Sequence, residues 1–103
     1  MGAEAMTQKT LRSLTEDALV DYFVDIALKQ YEANKILDSA TYNGLFDQKA
    51  AVQLELKSRN GDQRRALVSI LSHDNPQVRL NAAWATLAVA PIRHGARWKK
   101  SHL

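Results

Sequence analysis

The chain has 103 residues, 46% hydrophobic and 24% charged, with a formal net charge of +3. That size means one domain with a single modest core, burying roughly 65% of its unfolded surface. The absence of cysteine excludes disulfides, zinc–thiolate sites and thiol catalysis. No apolar run approaches the roughly 18 residues needed to cross a bilayer, and residues 1–12 lack the apolar stretch of a secretory signal, so a cytoplasmic protein with no membrane partner is expected.

Residues 1–14 show no clear period and are expected to be frayed. Thr15 then reads as an N-cap, with Glu16 and Asp17 in the first turn, where negative charge complements the helix dipole. Leu19, Tyr22, Phe23, Ile26 and Ala27 recur at helical spacing, and Val20, Val24, Leu28 and Tyr31 widen the apolar arc. Asp25 and Lys29 on the polar face form an i,i+4 pair. The first main helix is predicted from Glu16 to Lys35.

Asp38 or Ser39 can cap a second helix, predicted from Ser39 to Ser58. Phe46, Ala50 and Leu54, with Leu45, Val52 and Leu56, are its apolar positions. Asn43-Gly44 is a turn dipeptide and a hairpin signal, but the Asp47-Gln48-Lys49-Ala50-Ala51 run favours helix, so a weakening or kink at Gly44 is expected. Asn60-Gly61 offers a C-cap. Asp62 caps a third helix over residues 63–72, with Leu67, Ile70 and Leu71 on its core face. Arg64 and Arg65 near its start oppose the dipole and imply an acidic neighbour, Glu55 or Asp62. His73 is expected at the carbonyl end of this helix.

Asn75-Pro76 opens a fourth helix, with asparagine at the cap and proline at the first helical position. It is predicted to run to about Ala90, stopped by Pro91. At about 100° per residue it carries two apolar stripes: Val78, Ala82, Ala85 and Val89 on one, Leu80, Ala83, Trp84 and Leu87 on the other. Arg79 with Thr86, and Gln77 with Asn81, fill the gaps. A helix with two apolar stripes is covered on two sides, and its alanines permit close approach of neighbours.

Residues 67–87 resemble a HEAT-type repeat: Leu67, Ile70 and Leu71 in one helix, Asp74 at the turn, Val78-Arg79, Ala82-Ala83 and Leu87 in the next. The resemblance implies that Asp74 and Arg79 are structural, forming a ladder between successive repeats, with Asp74 and Asn75 serving the cap at the helix start. Residues 17–91 also resemble the small, mostly bacterial proteins grouped as domain of unknown function two-thousand-and-nineteen. The matching features are Tyr31, Asn43, Leu54-Glu55-Leu56, Arg64-Arg65-Ala66-Leu67, His73-Asp74-Asn75, Val78-Arg79, Ala82-Ala83 and Pro91. That resemblance implies an all-α superhelix and no established activity; the short basic tail departs from its pattern. The expected organisation is thus a frayed segment over 1–14, a HEAT-like α-α superhelix of about four main helices over 15–91, and a basic tail over 92–103.

Nothing in the chain announces a reaction. Asp21 and Asp25 share one solvated helix face. His73, His94 and His102 lack metal-ligand spacing, and there is no Gly-rich phosphate loop or nucleophile elbow. A non-catalytic protein without cofactor or metal is expected. Repeat units need about three copies to bury their faces, so an uncovered stripe of Leu80, Trp84 and Leu87 is the expected contact surface, rimmed by Arg79 or by Arg97 and Trp98. Its expected partner is a protein, most simply a second copy in a homodimer.

Charge offers an alternative. Residues 1–50 hold eight acids against five bases, and residues 51–103 hold three acids against nine bases. The two halves can attract one another, or pair head to tail between molecules. Alternatively the basic half can bind nucleic acid, with Arg93, Arg97, Lys99 and Lys100 around the stacking ring of Trp98.

Overall fold

A computed structural model of the chain describes residues 7–87. It is all-α, as expected: α1 (Gln8–Ser13), α2 (Glu16–Lys35), α3 (Ser39–Ser58), a 3-10 helix (Gln63–Ile70) and α4 (Pro76–Thr86), with no strand among the described residues. None of these helices is long and apolar enough to cross a membrane.

α2 and α3 occupy the ranges predicted for the first two helices because their caps are explicit in the residues. Thr15 Oγ1 accepts from the Ala18 amide at 3.1 Å, and Asp38 Oδ1 accepts from the Thr41 amide at 3.1 Å. Among the described elements these two helices pack most extensively, and the Tyr22 hydroxyl donates to Gln48 Oε1 across them at 3.0 Å. Gly44 does not kink α3, which runs unbroken through it. The core arc of α3 differs from expectation: Leu45, Val52 and Leu56 are buried, whereas Phe46, Ala50 and Leu54 are exposed and Lys49 and Glu55 take their places. Between α2 and α3, Leu37 adopts a left-handed φ of 57°. Its amide donates to Asn34 O at 3.2 Å and that of Asp38 to Ala33 O at 2.9 Å, which satisfies carbonyls at the end of α2.

Residues 7–14 correct the expectation of a frayed N-terminus. Thr7 Oγ1 caps α1 by accepting from the Thr10 amide at 3.2 Å, and Leu11 is fully buried in the core. The Arg59 guanidinium fastens the end of this helix: its Nη2 donates to Leu11 O at 3.1 Å and Arg12 O at 3.3 Å, while its Nε donates to Glu55 Oε2 at 2.9 Å. A six-residue helix with one core side chain is too short to show a period, and its anchor lies 48 residues away in sequence.

The segment predicted as the third α-helix is a 3-10 helix. Three residues per turn line up Arg64, Leu67 and Ile70, with Leu67 fully buried and Ile70 packed on the core. Its start is held as expected by Asp62. Arg64 clasps that carboxylate with both Nε (2.8 Å to Oδ1) and Nη2 (2.6 Å to Oδ2), which holds the Asp62 carboxyl below the usual range. Glu55 pairs instead with Arg59. Gly61 takes the left-handed conformation of the preceding turn, φ 81°.

The core joins all these elements: Leu11 from α1, Leu19, Phe23 and Ile26 from α2, Leu45, Val52 and Leu56 from α3, Leu67 from the 3-10 helix and Ala85 from α4. α4 packs on the 3-10 helix and on α2.

Candidate interaction surface

α4 begins as its residues dictate. Asn75 Oδ1 accepts from the amides of Gln77 (2.8 Å) and Val78 (3.3 Å), and Pro76 occupies the first turn. The helix is described to Thr86, so the predicted stretch on to Ala90 lies outside the described residues, as do Val89, Arg97, Trp98 and the rest of the basic tail.

The two predicted stripes have opposite fates. Val78, Ala82 and Ala85 are buried. Leu80, Trp84 and Leu87 are 49%, 66% and 41% exposed, with Ala83 half-buried among them. The structure thus brings three of the expected contact residues together on the outward face of α4.

Arg79 is exposed on the same helix. Its Nη1 donates to the backbone carbonyls of His73 (2.8 Å) and Asp74 (2.9 Å), not to the Asp74 carboxylate. Asp74 is exposed, and the cap is Asn75. These contacts satisfy carbonyls of the turn, so the guanidinium at the rim of the face is positioned by backbone. His73 stands at the carbonyl end of the 3-10 helix, as expected, through its backbone amide, which donates to Ile70 O at 3.1 Å; its ring Nδ1 instead accepts from the Asn75 amide at 3.0 Å.

The gap between the stripes carries a buried polar layer. Gln77 Nε2 donates to Asn81 Oδ1 at 2.9 Å and, more weakly, to the Tyr42 hydroxyl at 3.4 Å. Asn81 Nδ2 donates to Gln30 Oε1 at 2.7 Å. The layer ties α4 to both α2 and α3. Gln30, fully buried on α2, was not expected there. The signal was the polar i,i+4 pair Gln77 and Asn81 set between two apolar stripes, which needed an amide partner on a neighbouring helix.

Two further features lie on α2 and α3. Lys49 is only 8% exposed, with its ammonium 4.2 Å from the centre of the Phe46 ring. Desolvation pushes its pKa below the ordinary lysine range, and the ring face offsets part of that penalty. A surface cleft of about 410 Å³ runs along the end of α2, lined by Leu28, Ala33 and Ile36 with Lys29, Glu32 and Thr41. Among the described residues no group of three or more His, Cys, Asp or Glu side chains could hold a metal ion.

Comparison with known proteins fits this picture. The chain is similar to a crystal structure of the protein RPA1889 from Rhodopseudomonas palustris CGA009, with 43% identity and a TM-score of 0.78 over 80% of this chain and 68% of that one. No curated protein matches it. The profile of the domain of unknown function DUF2019 matches residues 17–99, running past Pro91 to take in Arg93, Arg97 and Trp98. On that match over most of its length, the chain belongs to the DUF2019 family.

Proposed function

We propose that this chain is a non-catalytic, HEAT-like helical module that binds protein through the outward face of α4, with a second copy of itself as partner. The observation that carries this reading is the exposure of Leu80, Trp84 and Leu87 on a helix whose opposite face is buried. An apolar stripe flanked by a backbone-held arginine has the composition of an interface centre, where Trp and Arg dominate the binding energy. The buried amide layer beneath it fixes α4 against α2 and α3, so the face is presented on a rigid support.

The test is size-exclusion chromatography with light scattering at tens of micromolar protein, at low and high salt, with and without a mixed nucleic-acid pool. An associated species that persists in high salt and ignores nucleic acid supports the apolar face. A monomer under every condition overturns the reading. A monomer that shifts only with nucleic acid, and only at low salt, transfers the function to the basic half, because phosphate contacts weaken steeply with salt.

A further inference from the structure

Of its two apolar stripes, α4 buries the one with the smaller side chains. Val78, Ala82 and Ala85 are in the interior, while Leu80, Trp84 and Leu87 face outward. Apolar burial stabilises in proportion to the area removed from water, so by side-chain size alone the Trp84 stripe would face the core. Something besides hydrophobicity sets the rotation of α4 about its own axis. Two features favour the observed face: the small Ala82 and Ala85, which allow close approach, and the amide layer on the flank. Shape is the more permissive of the two, because cores accept volume changes with local adjustment. A hydrogen bond is directional, and a roll that misplaces it leaves a buried group unpaired.

At about 100° per residue, Gln77 and Asn81 lie on the helix between Trp84 and Ala85, and both are buried. Asn81 donates to Gln30 on α2 at 2.7 Å. Gln77 donates to Asn81 at 2.9 Å and to Tyr42 on α3 at 3.4 Å. Rolling α4 by one residue's step, about 100°, brings Trp84 inward. The same roll carries Gln77 and Asn81 away from Tyr42 and Gln30 while keeping them in the interior, where unpaired amides are costly. The opposite flank carries no comparable tie to another element. There the buried Thr86 hydroxyl donates to Ala82 O of its own helix at 2.9 Å, a bond that any roll preserves.

Stability alone does not account for the layer. Gln30 is fully buried, yet its Nε2 has no hydrogen-bond partner among the described residues. A partly satisfied polar layer stabilises less than an apolar one of the same shape. What it adds is discrimination between two arrangements of one helix.

We propose that the Gln30–Asn81–Gln77–Tyr42 chain is an orientation key, which selects the stripe of α4 that is buried and holds Trp84 at the surface. This role concerns the rotation of the helix and is independent of whether the outward face binds a partner.

The experiment uses the full chain carrying Trp98→Phe, which leaves Trp84 as the sole tryptophan, diluted until light scattering reads a monomer. Trp84 emission and acrylamide quenching report whether the ring is outward, and urea unfolding reports whether the chain is folded. This parent is expected to emit as an exposed tryptophan and to quench readily. Gln30→Met, Gln77→Met and Asn81→Leu together keep the volume of the layer and remove its polarity. The triple variant is expected to unfold cooperatively, with Trp84 emission shifted to the blue and its quenching constant lowered severalfold. Gln30→Met with Asn81→Leu, which keeps Gln77 against Tyr42, is expected to shift the same way to a smaller extent, and it decides the matter if the triple variant does not fold. A folded variant whose Trp84 emits and quenches like the parent shows that the small side chains alone choose the face, and overturns the proposal. A parent in which Trp84 is already shielded also overturns it. So does loss of the cooperative transition in both variants, since the layer then holds the fold together and does not choose between faces.

Discussion

Gly44 faces open space from the middle of α3; a Cβ built there meets nothing within 4 Å. Glycine inside a helix costs about 0.5–1 kcal/mol relative to alanine, largely through the freedom of the unfolded chain. Gly44→Ala is therefore expected to stabilise the protein by about that amount, read as a higher urea midpoint at unchanged slope; a lower midpoint would mean that α3 is bent there in solution. The carboxylates at the helix starts set a pH dependence of definite sign. Asp38 is held below the ordinary carboxylate value by the Thr41 hydroxyl and then the Thr41 amide, and Asp62 chiefly by Arg64. Because both folded values are depressed, the stability they contribute is fully present above the unfolded value of about 3.9 and is lost as pH falls through the folded values. Thr41→Val and Arg64→Leu should each flatten the acid limb of a stability–pH curve below about pH 4 while leaving its neutral slope unchanged. An acid limb identical to wild type would show that these bonds do not survive in solution.

Elements declared themselves in the residues to the extent that their determinants are local. α2 and α3 were legible in their bounds because Thr15 and Asp38 are caps, although only α2 also showed its buried face in its apolar spacing. Asn75-Pro76 located the start of α4 for the same reason. α1 was not legible, because its stability rests on Leu11 reaching a core built from every other element and on Arg59 reaching back from the end of α3. The type of the Gln63–Ile70 segment was hidden too: α- and 3-10 helices both place Leu67 and Ile70 on one side, and the tighter winding is decided by tertiary fit. Arg59→Ala is expected to release α1 by removing two bonds to its carbonyls and leaving the buried Glu55 carboxylate unpaired. The cost is about 1–3 kcal/mol, with amide exchange accelerated first at Leu11 and Leu14. Exchange accelerated evenly over the whole chain would show that α1 does not open as a separate unit. Asn81→Ala breaks a longer-range tie. It strands Gln30 and Gln77 without their amide partner in the interior, and a loss of about 1–3 kcal/mol in urea unfolding is expected. Asn81→Leu distinguishes packing from polarity, since it restores volume without restoring either hydrogen bond.

At the scale of the whole molecule, the candidate surface was legible as residues but not as a surface. The double stripe on α4 showed that two sides of the helix are apolar; only the fold shows that the Val78 side is buried and the Trp84 side is turned outward. Leu37 was invisible beforehand, since nothing local marks a leucine as left-handed. Trp84 now separates the two meanings an apolar stripe can have. A tryptophan in a core would cost about 3–5 kcal/mol of folding stability when cut to alanine. At 66% exposure the ring gives up little packing, and Trp84→Ala is expected to move stability by less than about 1 kcal/mol. The same substitution in an interface anchor should weaken association by more than about 2 kcal/mol. Urea unfolding at a concentration low enough to populate the free chain reads the first quantity, and sedimentation reads the second. A large loss of stability with association per folded molecule unchanged would return Trp84 to the core and leave the outward face of α4 without a function.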